Sequence, residues 1–347
     1  MGNQFLTDKS LSLEAAFFGF ALDQAPAFAE PGIDRHYAPD YGFVLTHVAL
    51  DLTIDPEAGT LVGEARLTIQ PLQIGLGEVT LDFDDMTVDA VENAQGTALD
   101  WEFADGKLSI SGVAPGGETV SVRWHGKPTR GLYFTGPTTA EPDRPFMSWS
   151  QCQDEDAHFF FPCLDHPSVK CTWSLAFTVP DGMQAIGNGR FSGREGNTWR
   201  WEQAEPMPSY LFTVCVGAFS IYTEPGDGVP VRYLAPEGVS DADFKRIFGK
   251  TPAMIAFFEE RYGHPYPWPR YDQVVVHDFI FGGMENVAST TLTRPACSPR
   301  VSAGAEPRGR RGGTAAAAIA GAECSSCPVC EAMRWPTAAD TLPLAAR

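Results

Sequence analysis

Residues 46–55 read THVALDLTID, and this alternation decides the first part of the fold. Val48, Leu50, Leu52 and Ile54 fall at every second position, so an extended chain puts all four on one face. Residues 56–59 supply turn formers, and residues 61–69 return as a second strand. Further strands are expected at 79–83, 87–92, 101–103, 107–110, 119–124 and 199–202. The apolar run PMPSYLFTVCVGAFS (206–220) is expected as one strand that closes the β-rich part. The spacings are short, the punctuation is Gly, Pro, Asp and Asn, and no helix-length period occurs before residue 240. That pattern belongs to a mainly β fold, a sandwich or saddle.

A break falls near Glu224-Pro-Gly-Asp-Gly228, after which residues 231–234 form a strand. Ser240 with Asp243 opens a helix as a capping-box variant. Phe244, Ile247, Phe248, Thr251, Met254, Ile255 and Phe258 follow at helical spacing and read as core. Pro252 should kink or divide that helix. Residues 262–269, YGHPYPWP, form a rigid connector in which His264 is a loop histidine.

The most informative chemistry lies in residues 271–292, YDQVVVHDFIFGGMENVASTTL. Val274, Val275 and Val276 start a strand, and His277 and Asp278 fall on its alternate faces. Gly282 and Gly283 leave the backbone bare, and Glu285 and Asn286 follow Met284. A peptide can pair with such backbone as an added strand while the carboxylate takes its free ammonium. A glycine bulge with a solvated Glu285 is the competing reading. Upstream, residues 147–180 hold Gln151 and Gln153, alternate residues that share a face if the segment is extended. An irregular buried loop is the alternative there.

FGGMEN (281–286) resembles the glycine-x-methionine-glutamate-asparagine motif of the zinc aminopeptidase family that includes aminopeptidase N and leukotriene-A hydrolase. SQCQ (150–153) and FPCLDHP (161–167) are similar to that family's glutamine-x-glutamate segment and its phenylalanine-proline-cysteine-x-aspartate-x-proline motif. The resemblance covers residues 35–294. It implies a β-rich N-terminal domain followed by the start of an α/β thermolysin-like catalytic domain. It implies substrate-binding roles for Gln151, Gln153, Gly282, Gly283, Met284, Glu285 and Asn286, with Glu285 holding the amine of a peptide with a free N-terminus. Gln153 stands where most members carry Glu, and His158 where Arg is common. Neutral Gln153 adds no charge, so Glu285 carries most of the electrostatic recognition.

The family's cofactor is zinc, held by a His-Glu-x-x-His helix and a further glutamate. This sequence contains no such motif, and no histidine follows His277. No catalytic or metal-binding residue is therefore assigned, and the chain is expected to bind no zinc, to be truncated before that helix, and to be inactive as it stands. A non-catalytic peptide-binding or partner protein is the alternative. Residues 295–347 change character, with fourteen alanines, six Arg against four acids, and no Lys, Phe, Tyr or His. They read as an unstructured or frame-shifted tail. Cys324, Cys327 and Cys330, with Cys297, match a structural zinc site in number only.

The net charge of −19 argues against nucleic acid and anionic membranes as partners. Cys152, Cys163, Cys171 and Cys215 sit in apolar surroundings and read as buried free thiols. Residues 15–22 and 25–29 resemble a poor signal peptide, but Glu14 and Asp23 flank the apolar patch, so a cytoplasmic location is expected. The expected organisation is an extension (1–35), a β-rich domain (36–222), the start of a catalytic domain (223–294) and the tail.

Overall fold

The alternation at 46–55 becomes β1 (Phe43–Asp55), in which Val48, Leu50, Leu52 and Ile54 are each at most 1 % exposed. The computed structural model describes residues 39–294, so the readings made for the extension, for 295–347 and for Cys297, Cys324, Cys327 and Cys330 lie outside the described residues. After β1 the chain forms β2 (Thr60–Pro71), β3 (Glu78–Asp82), β4 (Thr87–Asn93), β5 (Asp100–Ala104), β6 (Lys107–Ser111) and β7 (Glu118–Gly126). It continues through β8 (Gly131–Thr135), β9 (Met147–Gln151), β10 (Cys171–Thr178), β11 (Gln184–Gly187), β12 (Arg190–Glu195) and β13 (Thr198–Met207). β14 (Val214–Gly217) and β15 (Phe219–Thr223) follow.

These strands build a seven-stranded sheet ordered β12-β13-β10-β1-β2-β7-β4, a four-stranded sheet β11-β14-β9-β8 and a three-stranded sheet β3-β6-β5. β1 pairs antiparallel with β2 on one side and parallel with β10 on the other. One buried cluster draws side chains from all three sheets. Four tryptophans sit in it, and each indole N–H finds a backbone carbonyl: Trp124 to Phe160 O at 3.0 Å, Trp149 to His277 O at 2.9 Å, Trp173 to Met207 O at 3.3 Å and Trp201 to Ala185 O at 3.1 Å. The rings bury large apolar area without stranding a donor. Trp124 lies over Gly63, its partner in the β2–β7 ladder, where any Cβ would collide with the ring.

The single strand expected over 206–220 is instead divided into the end of β13, a 3₁₀ turn at Ser209–Leu211, β14 and the start of β15. Pro208 has no N–H to donate to a ladder, so pairing stops there.

The second part begins with β16 (Val231–Pro236), then α1 (Asp241–Phe248), α2 (Thr251–Tyr262), β17 (Tyr271–Val276), β18 (Gly283–Met284) and β19 (Ser289–Thr293). With β15 they form a five-stranded sheet ordered β15-β16-β17-β19-β18. β16, β17 and β19 are parallel, and parallel neighbours need a crossover; α1 and α2 make the one between β16 and β17. Ser240 caps α1, its hydroxyl accepting from Asp243 N at 3.2 Å.

The helix does divide near Pro252, which stands in the first turn of α2. Phe244 and Phe248 of α1 are core, packed on Tyr222, Tyr233, Val275 and Leu292. Phe258, expected as core, is 47 % exposed, and Met254 is only half-buried. The break at Gly249 and Lys250 resets the helical phase, so a spacing counted through it no longer marks one face. The opposite face of the sheet, through Leu234, Val274 and Val276, belongs to the same buried cluster as the β-rich part.

Candidate functional site

β17 ends at Val276, one residue before His277. His277 is buried and Asp278 is an exposed turn residue with φ of 54°, so the two do not lie on alternate faces of a strand. Burial, with the nearby Arg294 and Arg144 charges, pushes the His277 pKa below its ordinary value and keeps the ring neutral. Its carbonyl receives the Trp149 indole N–H, and Trp149 is flanked by Tyr133 at 4.6 Å and Phe279 at 5.1 Å between ring centroids. Arg144 Nη2 donates to Asp278 Oδ2 at 2.6 Å. The 277–282 connection is thereby fixed to the segment around β9.

The chain then folds back. Gly283 pairs with Leu292 and Met284 with Thr291, and Thr293 N donates to Gly282 O at 3.3 Å. β18 is the last strand of its sheet among the described residues, and none of them pairs with its outer edge. Gly282 and Gly283 are half-buried on that edge. Met284 points in at 2 % exposure, Glu285 points out, and Asn286 points in at 3 %. Glu285 makes no hydrogen bond or ion pair within the described residues. Asn286 Nδ2 donates to Thr291 Oγ1 at 3.1 Å, and its buried Oδ1 has no partner among the described residues.

Gln151 ends β9 and is 1 % exposed. Its Nε2 lies 3.8 Å from Met284 Sδ, next to Glu285 in sequence, and its buried Oε1 also has no partner among the described residues. The structure thus brings Gln151 to the GGMEN segment. Gln153 departs from the expected geometry. The strand stops at Gln151 and a turn follows, so alternation does not carry two residues further; Gln153 is exposed while Gln151 is buried. Gln151 Oε1 and Asn286 Oδ1 are buried without a hydrogen-bond partner among the described residues, on the inner side of a segment whose Glu285 is exposed.

Two residues that the sequence reading did not single out hold this segment. Asn188, fully buried after β11, donates to Val287 O at 2.9 Å. Arg270 donates through Nη1 to Ala288 O at 3.1 Å and through Nε to Gly189 O at 2.7 Å. The available signals were an asparagine set between Gly187 and Gly189, and Arg270 two residues before Asp272, on one side of a nascent strand. Cys152, Cys163, Cys171 and Cys215 are buried free thiols, and burial raises all four pKa values.

Among the described residues no three His, Cys, Asp or Glu side chains stand together in a way that could hold a metal ion, so these residues do not supply the donor set of a zinc site. No described helix is long and apolar enough to cross a membrane.

The chain thus joins a β-rich part to a mixed five-stranded sheet that ends in the short GGMEN strand. Residues 35–211 match the peptidase M1 N-terminal domain, and residues 247–301 match the peptidase family M1 domain. The chain belongs to peptidase family M1. It is similar to aminopeptidase N of Streptomyces lividans, 28 % identical over 256 residues, covering 71 % of this chain and 29 % of that protein. It is similar to leukotriene A-4 hydrolase of Xenopus laevis, 27 % identical, covering 74 % and 44 %. Aminopeptidase B of Rattus norvegicus is 34 % identical, covering 45 % and 23 %. The fold resembles that of native yeast LTA4 hydrolase, with a TM-score of 0.65 at 22 % identity, over 79 % of this chain and 44 % of that one. The chain thus spans less than half the length of these relatives.

Proposed function

We propose that this chain carries the peptide-recognition part of an aminopeptidase-type site, with Glu285 taking the free N-terminal ammonium of a peptide. The observation that carries this reading is the exposed Glu285 carboxylate, which has no partner among the described residues and follows directly on β18, the last strand of its sheet among those residues. A peptide laid along β18 would pair with the backbone of Gly282 and Gly283, where no side chain obstructs its approach. Gln153, exposed just beyond β9, adds a neutral acceptor at most. The reading gives residues 39–294 recognition and not the hydrolytic step, since they present no metal ligand set. Aminopeptidase names among the relatives support the substrate class. The four buried free thiols suit a reducing compartment and support a cytoplasmic setting.

The test is calorimetric titration of free-amine and N-acetylated peptides into the wild type and Glu285→Gln. A charge-assisted hydrogen bond is worth about 1.5–3 kcal/mol. Glu285→Gln should therefore weaken free-amine peptides about tenfold to a hundredfold and leave acetylated ones unchanged. Equal binding of the two peptides to the wild type would reject the anchor role.

A further inference from the structure

We propose that Asn188, a residue of the β-rich part, is a positioning residue for the Glu285 anchor. The role rests on the amine-anchor reading above. Asn188 is fully buried, and both polar atoms of its amide are hydrogen-bonded. Nδ2 donates to Leu211 O and to Val287 O, each at 2.9 Å, and Oδ1 accepts from Thr213 N at 2.8 Å. Val287 is two residues after Glu285, so the first carbonyl beyond Asn286 is tied to the core of the other sheets. The same two stretches are joined a second time, because Arg270 bonds Gly189 O and Ala288 O together.

The segment needs outside support. Ala288 has φ of 64°, a left-handed conformation that a residue with a Cβ adopts only when its surroundings impose it. Its turn is closed by one backbone bond, Ser289 N to Asn286 O at 3.1 Å. Gln151 also belongs to the β-rich part. Asn188 therefore sets where Glu285 stands relative to Gln151, although it touches neither the carboxylate nor any ligand.

Asn188→Asp keeps the shape and the acceptor for Thr213 N but removes both donors, facing an oxygen toward Val287 O. Asn188→Ser is smaller and introduces no buried charge, which covers the case that the first variant does not fold. Leu50→Ala, in the core of β1, serves as a variant that loses stability with the clamp intact. Two quantities are read on the full-length protein: the affinity ratio of free-amine to acetylated peptide, and hydrogen exchange at the Ser289 amide. In a folded Asn188 variant, Ser289 should lose protection by about tenfold or more while amides of the β1–β2 ladder keep theirs. The affinity ratio should fall from its wild-type value to within about threefold of unity. Leu50→Ala should keep both the ratio and the relative protection of Ser289.

A wild-type ratio well above unity that persists in both Asn188 variants overturns the positioning role and leaves the anchor reading standing. Unchanged Ser289 protection overturns the clamp directly, whatever the peptides do. A wild-type ratio of unity rejects the anchor reading itself and the role that rests on it. A Leu50→Ala protein that loses the ratio as the Asn188 variants do shows ordinary destabilisation, and also overturns the proposal.

Discussion

His158 is gripped by one carboxylate. Its backbone N–H and its ring Nδ1 both reach Asp165 Oδ2, at 3.0 and 2.9 Å, while Ser209 Oγ donates to Asp165 Oδ1 at 2.6 Å. Burial opposes protonation of the ring, but the bond to Asp165 and the charges of Asp165, Asp82 and Asp84 outweigh it and raise the pKa above 6.5. The protonated ring thus stabilises the fold fully below about pH 6.5, and this contribution is lost as pH rises through the folded-state value. The difference in urea midpoint between wild type and His158→Gln should be constant below about pH 6.5 and shrink above it. His47 and His277, whose pKa values are lowered chiefly by burial, act in both proteins and cancel in the difference. A difference that widens as pH rises would count against the assignment. At this scale the sequence shows Glu285 and Gln151 plainly, because their neighbours form recognisable motifs. It conceals Asn188 and Arg270, because their partners are mostly backbone carbonyls, which every residue possesses and only the tertiary fold selects.

The local signals within single elements are the most legible. Alternation gives the buried face of β1, and Ser240 with Asp243 gives the start of α1. What joins the elements is less so. Nothing local in residues 46–55 announces that β10 lies beside β1 in parallel. The same holds for the ion cluster between sheets. Asp272 of β17 is fully buried, and Arg232 donates to its Oδ1 at 2.8 Å and its Oδ2 at 2.5 Å, while Arg270 donates to Oδ2 as well. Arg270 also lies over the Trp201 ring at 4.4 Å. Burial pulls the Arg270 pKa down to about 10 against the pull of Asp272, so the guanidinium stays charged at neutral pH. Removing the carboxylate would leave the buried Arg270 and the half-buried Arg232 without their counter-ion. Asp272→Asn should cost about 3–5 kcal/mol in chemical denaturation. A loss below about 1 kcal/mol would mean that the cluster behaves like an exposed pair.

Across the molecule, the buried cluster does not stop at the expected boundary near residue 223. Val274, Val276, Phe279, Met284 and Val287 share it with the strands of the β-rich part. This shared cluster ties the sheet of the second part to the β-rich part, while α1 packs on a separate cluster on that sheet's other face. Residues 39–294 should therefore lose tryptophan emission and helical circular dichroism in one coincident transition, although chains of this size often unfold in steps. Helical signal that disappears at lower denaturant than the emission change would place a seam at α1 and α2. The parallel contact between β1 and β10 also has a meaning in time. His47 and Thr172, hydrogen-bonded at 2.7 Å, are 125 residues apart. At about 5–20 residues per second of synthesis, β1 waits roughly 6–25 s on the ribosome for its second neighbour. During that interval the hairpin with β2 exists with one flank of β1 bare, a template for any passing extended chain. The nascent polypeptide is thus most in need of a chaperone before β10 has been made, long before the GGMEN segment emerges.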